Sequence, residues 1–175
     1  AAPVLARAAR HIPLRRACVA FLCPIGDLRA QEAVVALARE GGGPERIEAI
    51  EALGTCGGVD VLPALGAALR GTPAGRRAAC RALGVLRAAR GWTLLVRALA
   101  DEDTDVAVEA AKAMGRIGDE AFAPVLAARA KSPEPRMRAT VASALGRSVS
   151  PEAADAVMTL VRDDDARVRA NAVVT

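Results

Sequence analysis

A chain of 175 residues that is 53% hydrophobic can bury one substantial core, yet only 2% of it is aromatic and 42 residues are alanine, so helices must close that core by approaching one another closely. The net charge of +4 is uneven: residues 1 to 88 carry 12 Arg and Lys against 7 Asp and Glu, net +5, whereas residues 89 to 175 carry 12 against 13, net −1. An Arg, Asp or Glu interrupts every apolar run short of about 18 residues, which argues against a membrane-spanning helix, and strand-type alternation is absent, which argues against a β fold.

In chain order the segments repeat. Residues 1–12 read as the second half of a truncated hairpin, with Pro3 two residues ahead of Leu5, and complete hairpins are expected at 13–42, 43–71, 72–102, 103–133 and 134–164. Residues 165–175 read as a further half-repeat. The register comes from Leu53–Gly54, Leu83–Gly84, Met114–Gly115 and Leu145–Gly146, spaced by 30, 31 and 31 residues, with Leu22–Cys23 one step earlier. The lines ending there are LRRACVAFLC, ERIEAIEALG, GRRAACRALG, VAVEAAKAMG and MRATVASALG, and VRANAVVT is an incomplete sixth.

Aligned in this way, the lines sort into buried columns. Leu14, Val106, Met137 and Val168 form one, Cys18, Ala49, Ala79, Ala110, Val141 and Ala172 a second, and Val19, Ile50, Cys80, Ala111, Ala142 and Val173 a third. With the Leu/Met column they fall on one stripe of a 3.6-residue helix. The glycine after the Leu/Met column is expected to end this first helix in a left-handed conformation.

Each repeat continues into a second helix: LRAQEAVVALARE, VDVLPALGAALR, WTLLVRALAD, EAFAPVLAARAK and PEAADAVMTLVRD. Asp27, Asp60, Asp119 and Ser150 stand at N-cap positions, and Arg39, Arg70, Lys131 and Arg162 in expected last turns, where cations suit the helix dipole. Pro63 and Pro124 each precede a core leucine by two residues.

These lines resemble HEAT-like repeats of the phycobilisome-lyase type, and the resemblance covers nearly the whole chain. Matching positions are Arg15, Arg46, Arg76, Arg138 and Arg169 for the recurrent arginine, and Gly26–Asp27 and Gly118–Asp119 for the turn. Ala107, Cys23 and the segment GVLRAARGW depart from the pattern. The resemblance implies an all-α chain: a right-handed α-solenoid of stacked helical hairpins, a single domain over residues 1–175, and part of a longer solenoid. It also implies that first helices line one side and second helices the other.

Two readings of the arginine column stand side by side. Regular recurrence in every hairpin favours a structural arginine that bonds an acidic side chain or a carbonyl of a neighbouring turn. The other reading is a basic ladder for phosphate or an acidic protein. Nucleic acid binding is disfavoured because Phe21, Trp92 and Phe122 are the only aromatics, and because two Lys against 22 Arg looks like compositional bias.

A surface for a partner protein is expected on the second helices. If Val35, Leu65, Leu95, Leu126 and Val157 face the core, then Ala36, Gly66, Val96, Ala127 and Met158 face outward beside Leu37, Ala67, Arg97, Ala128 and Thr159. Arg70, Lys131 and Arg162 flank that face, and Trp92 lies at its margin, either buried beside the irregular turn or exposed as an anchor. Such a groove suits an amphipathic, partly acidic helix or extended peptide, while alanine that is simply tolerated on an exposed helix is the plainer reading. Self-association through the incomplete hairpins at the two ends is a further expectation.

No catalytic constellation is legible, since there is no Tyr, one isolated His11 and no phosphate-binding glycine loop. Cys18, Cys23, Cys56 and Cys80 have no zinc-type spacing, so neither a metal nor a cofactor is expected. Reduced thiols and a cytoplasmic location are the expectation. The reading from sequence is therefore a non-catalytic protein-binding scaffold, with a nucleic-acid-binding solenoid and an accessory subunit of a chromophore lyase as alternatives.

Overall fold

The structure is a computed structural model that describes residues 28–56, 60–87 and 89–174. Pro3 and Leu5, the first arginine Arg15, Leu14, Cys18, Val19, Cys23 and Asp27 therefore lie outside the described residues. Ten α-helices and no strand are found among the described residues: α1 Leu28–Glu40, α2 Gly43–Ala52, α3 Leu62–Ala68, α4 Pro73–Leu86, α5 Trp92–Leu99, α6 Thr104–Ile117, α7 Ala123–Arg129, α8 Pro135–Leu145, α9 Pro151–Leu160 and α10 Ala166–Val174.

The chain divides into two compact units, residues 1–86 and 87–175. In the first, α2 packs on α4 and α1 packs on α3, so first helix lies on first helix and second on second. In the second unit α6, α8 and α10 pack in succession, and α7 packs on α9. Within each unit a second helix also packs on the first helix that follows it, as α3 does on α4 and α7 on α8.

The columns read from the period are the cores of these units. Leu53, Leu83, Met114 and Leu145 are fully buried, as are Val106, Met137 and Val168, and Ala49, Ala79, Ala110, Val141 and Ala172. Ile50, Cys80, Ala111 and Ala142 are buried too, while Val173 is 70% exposed because among the described residues no later first helix covers it. On the second helices Leu65, Leu95 and Leu126 are buried, and Val35 and Val157 are only half-buried. Small side chains dominate the first-helix columns because those helices meet at their tightest approach there.

That approach corrects the expectation for the repeated glycine. α4 runs through Gly84 to Leu86, α6 runs through Gly115 to Ile117, and Gly146 has a right-handed φ of −63°. The left-handed C-cap is Gly118, φ 70°, three residues later. What the repeated glycine supplies is room. A Cβ on Gly54 would stand 2.8 Å from the Ala82 carbonyl oxygen and 2.9 Å from Ala82 Cα, and one on Gly115 would stand 2.8 Å from Ala144 Cα. Ala82 and Ala144 each lie two residues before the glycine of the next repeat, so the same contact recurs in both units.

Helix starts follow the expected chemistry. Ser150 Oγ accepts from the Ala153 amide at 3.1 Å, Asp119 Oδ1 from Ala121 at 2.9 Å, and Asp60 Oδ1 from Leu62 at 3.2 Å. Asp103 caps α6 by accepting from Asp105 and Val106. Arg39 lies in the last turn of α1, whereas Arg70, Lys131 and Arg162 each fall two residues beyond their helices. The irregular segment after Gly84 turns at Arg87, φ 47°, a strained value for a side chain with a Cβ. Cys56 is disulfide-bonded, which departs from the expectation of uniformly reduced thiols, and Cys80 is buried in α4. Among the described residues no helix is long and apolar enough to cross a membrane.

Candidate functional site

The arginine column resolves into one recurring contact. Arg46 Nε donates to the Ala38 carbonyl at 3.1 Å, and Arg76 Nη1 to that of Gly71 at 3.1 Å. Arg138 Nη1 reaches the Ser132 and Pro133 carbonyls at 2.9 and 3.1 Å, and Arg169 Nη1 reaches those of Asp163 and Asp164 at 2.7 and 2.8 Å. Each arginine therefore satisfies carbonyls of the preceding second helix or of the loop that follows it: Ala38 lies in the last turn of α1, and Gly71, Ser132, Pro133, Asp163 and Asp164 lie just beyond α3, α7 and α9. The column does structural work at these four positions. Ala107, which replaces the arginine, is buried.

Arg138 does more than its column partners. Its Nε and Nη2 bond the two carboxylate oxygens of Asp163 at 2.7 and 2.9 Å, joining the start of α8 to the loop between α9 and α10. This bidentate contact holds the Asp163 carboxyl below the usual carboxylate range and raises the Arg138 guanidinium further.

The second-helix face is less continuous than the sequence suggested. Gly66 is buried, because the seven-residue α3 is packed by α1, α2 and α4. Val96 and Ala127 are half-buried, and Ala36, Arg97, Ala128 and Thr159 are exposed. Met158 is 60% exposed. The flanking Arg70, Lys131 and Arg162 are exposed. Trp92 is half-buried and stacks on Phe122, with ring centroids 6.1 Å apart and planes at 10°. Its Nε1 is buried without an acceptor among the described residues, so the indole packs instead of projecting as an anchor.

A concave feature of the second unit lies elsewhere, on its first helices. A groove of about 390 Å³ is bordered by α6, α8 and α10, with Gly115, Ala139 and Ala144 among its lining residues and Lys112, Arg116, Arg136, Arg147 and Arg167 as its cations. Lys112 pairs with Glu109 at 2.8 Å, Arg136 pairs with Asp105, and Arg147 Nη2 donates to the Gly115 carbonyl at 2.9 Å. This groove is separate from the recurrent arginine column and was not expected from the sequence. The signal was present in the variable columns: Arg136 and Arg167 are one repeat apart, and so are Arg116 and Arg147. Among the described residues no cluster of three or more His, Cys, Asp or Glu could hold a metal ion.

Comparisons with known proteins agree with this architecture. The model of the HEAT repeats family matches residues 71–136 and 123–175, and that of the PBS lyase HEAT-like repeat matches residues 45–71. The chain is similar in structure to the complex of CpcE and CpcF of phycocyanin lyase from Nostoc sp. PCC7120, with a TM-score of 0.67 at 20% identity over 98% of this chain and 74% of that one. It is similar to an engineered protein, with a TM-score of 0.57 at 21% identity over 97% of this chain and 92% of that one. A third likeness is to human deoxyhypusine hydroxylase in complex with glycerol, with a TM-score of 0.53 at 21% identity over 97% of this chain and 81% of that one. At these identities the likeness concerns the fold, an α-solenoid of HEAT-like hairpins. No curated protein sequence matches the chain.

Proposed function

The chain belongs to the HEAT-repeat family, and from that membership we propose that it is a non-catalytic scaffold that binds another protein along the face of its second helices. The observation that carries this reading is Met158. It is a long apolar side chain left 60% exposed on α9, beside the exposed Thr159 and Arg162. A flexible, polarisable thioether in that position suits a surface that adapts to a partner. Val96 and Arg97 on α5 and Lys131 after α7 extend the same mixed apolar and basic character within the second unit. The scaffold reading gains further support from the CpcE and CpcF structure, in which a protein of similar fold is found in a complex with another protein.

Capture of the partner on the immobilised chain, with cross-linking mass spectrometry to locate it, tests the proposal. V96E, R97E and M158E are expected to lose the cross-linked partner while their helical circular dichroism stays unchanged. Capture that is unaltered in all three variants overturns it.

A subunit role in a chromophore lyase is the second reading, supported by likeness in fold to the phycocyanin lyase complex. Coexpression with a bilin, a candidate acceptor protein and a second lyase chain tests it. Covalent visible absorbance on the acceptor that needs this chain supports the reading, and equal absorbance without this chain removes it.

A further inference from the structure

The basic groove on the first helices of residues 87–175 is distinct from the second-helix face, and its charge follows from register. Arg136 and Arg167 occupy one repeat position in successive first helices, and Arg116 and Arg147 each follow the Leu/Met column by two residues. In the N-terminal unit the corresponding residues are Pro44 and Ala74 for the first pair, and Thr55 and Val85 for the second. Stacking alone therefore does not require cations at these positions. Placing like charges on packed helices costs electrostatic energy unless an anion offsets it.

The internal anions do not suffice. Glu109 pairs with Lys112 and Asp105 pairs with Arg136. Arg147 has one nitrogen on the Gly115 carbonyl, which holds its guanidinium at the groove. Arg116 and Arg167 are exposed and have no side-chain hydrogen bond or ion pair among the described residues. With Gly115, Ala139 and Ala144 in the lining, little side-chain bulk stands between these cations and an incoming backbone.

We propose that this groove binds an extended acidic segment of a partner protein, with carboxylates accepting from Arg116, Arg147 and Arg167. Guanidinium and carboxylate match in planar, two-point geometry, and arginine loses less on desolvation than an ammonium does. Packed helices stand roughly 8–10 Å apart. A chain extended as a polyproline II helix rises about 3.1 Å per residue with three residues per turn, so acidic residues three apart share one face and meet arginines on successive helices. A nucleic-acid strand fits less well. No aromatic side chain lines the groove to stack a base, and Asp105 and Glu109 sit beside its cations where a continuous phosphate backbone would be repelled.

Fluorescence anisotropy on the full chain tests this with a short labelled peptide carrying Glu at every third position, its Gln counterpart and a labelled single-stranded DNA. The Glu peptide is expected to bind, to weaken as salt rises, and to bind at least about tenfold more weakly to R116E/R167E. R39E, which alters an exposed arginine of α1, is expected to keep the affinity. Helical circular dichroism establishes that the double variant is folded, and R116Q and R167Q, each expected to weaken binding, replace it if it is not. No binding of the Glu peptide at low salt, equal binding of the Gln peptide, or full affinity in the folded arginine variants overturns the proposal. Tighter binding of the DNA than of the Glu peptide overturns it in favour of nucleic acid. The second-helix variants described above are read in a separate assay, so either proposal can fail alone.

Discussion

Arg138 donates through Nε and Nη2 to both carboxylate oxygens of Asp163, at 2.7 and 2.9 Å, and so locks a first helix to the loop that follows the next second helix. The contact holds Asp163 below the usual carboxylate range, which means that the folded chain favours its ionised form. A depressed carboxylate contributes stability that is fully present above its unfolded value, about 3.9 for Asp, and that fades as pH falls through the lower folded value. D163N lacks this contribution. The Tm gap between the wild type and D163N should therefore be widest near neutrality and close below about pH 4. A gap that persists unchanged into strong acid would show that the ion pair is not its origin. Arg138, like any arginine, stays charged throughout this window.

The glycine contacts predict a cost for the smallest possible side chain. G54A and G115A each place a methyl within 3 Å of the neighbouring helix backbone, at Ala82 and Ala144. Overpacking of this kind costs about 1–3 kcal/mol, against a gain in helix propensity of up to ~1 kcal/mol. Denaturant titration should show both variants destabilised. At Gly42, the N-cap of α2, a Cβ would meet nothing within 4 Å, so G42A should cost only the poorer capping of Ala and less than either of the other two. Equal midpoints for all three would remove close approach as the reason for the repeated glycine.

The remaining arginines of the column should affect stability and spare binding. Arg46, Arg76 and Arg169 each donate to a carbonyl that ends the preceding second helix or its loop. Replacement by Ala leaves those acceptors to water and should cost about 1 kcal/mol or more. The check is the thermal midpoint of R46A, R76A and R169A beside their affinity for the acidic peptide. Loss of affinity at unchanged midpoint would restore the ladder reading of the column.

Trp92 offers a sharper separation between packing and polarity. Its ring stacks on Phe122 while Nε1 is buried without an acceptor among the described residues. W92F keeps an aromatic ring and removes a buried donor that has no partner, so stability should hold or rise slightly. W92A loses the ring altogether and should cost roughly 2 kcal/mol or more, somewhat below the range for fully buried aromatics because Trp92 is half-buried. If W92F proves as damaging as W92A, the indole nitrogen has a partner that this geometry does not provide.

Much of the fold was legible because burial in a repeat is periodic. A residue such as Ala110 or Val141 can be assigned to the core from its column alone, since every copy must bury the same stripe against its neighbours. The same logic made the arginine column visible and suggested that it was structural. It could not show which group each arginine meets, because Arg138 finds both carbonyls and Asp163 while Arg46 finds a single carbonyl. The candidate site was harder to read. Gly66 looks like an exposed position by register, but contact with three helices buries it.

What the amino-acid sequence determined by itself is the period, the helical hairpin and the buried columns, because these depend on residue spacing and hydrophobicity. What only the tertiary structure decided is the use of the polar and glycine positions: that Gly54 and Gly115 admit a neighbouring backbone, that the recurrent arginines close the preceding helices, and that Arg116, Arg147 and Arg167 border one groove. Those outcomes depend on how closely helices approach and how far each long side chain reaches across them, distances that spacing along a single chain does not encode.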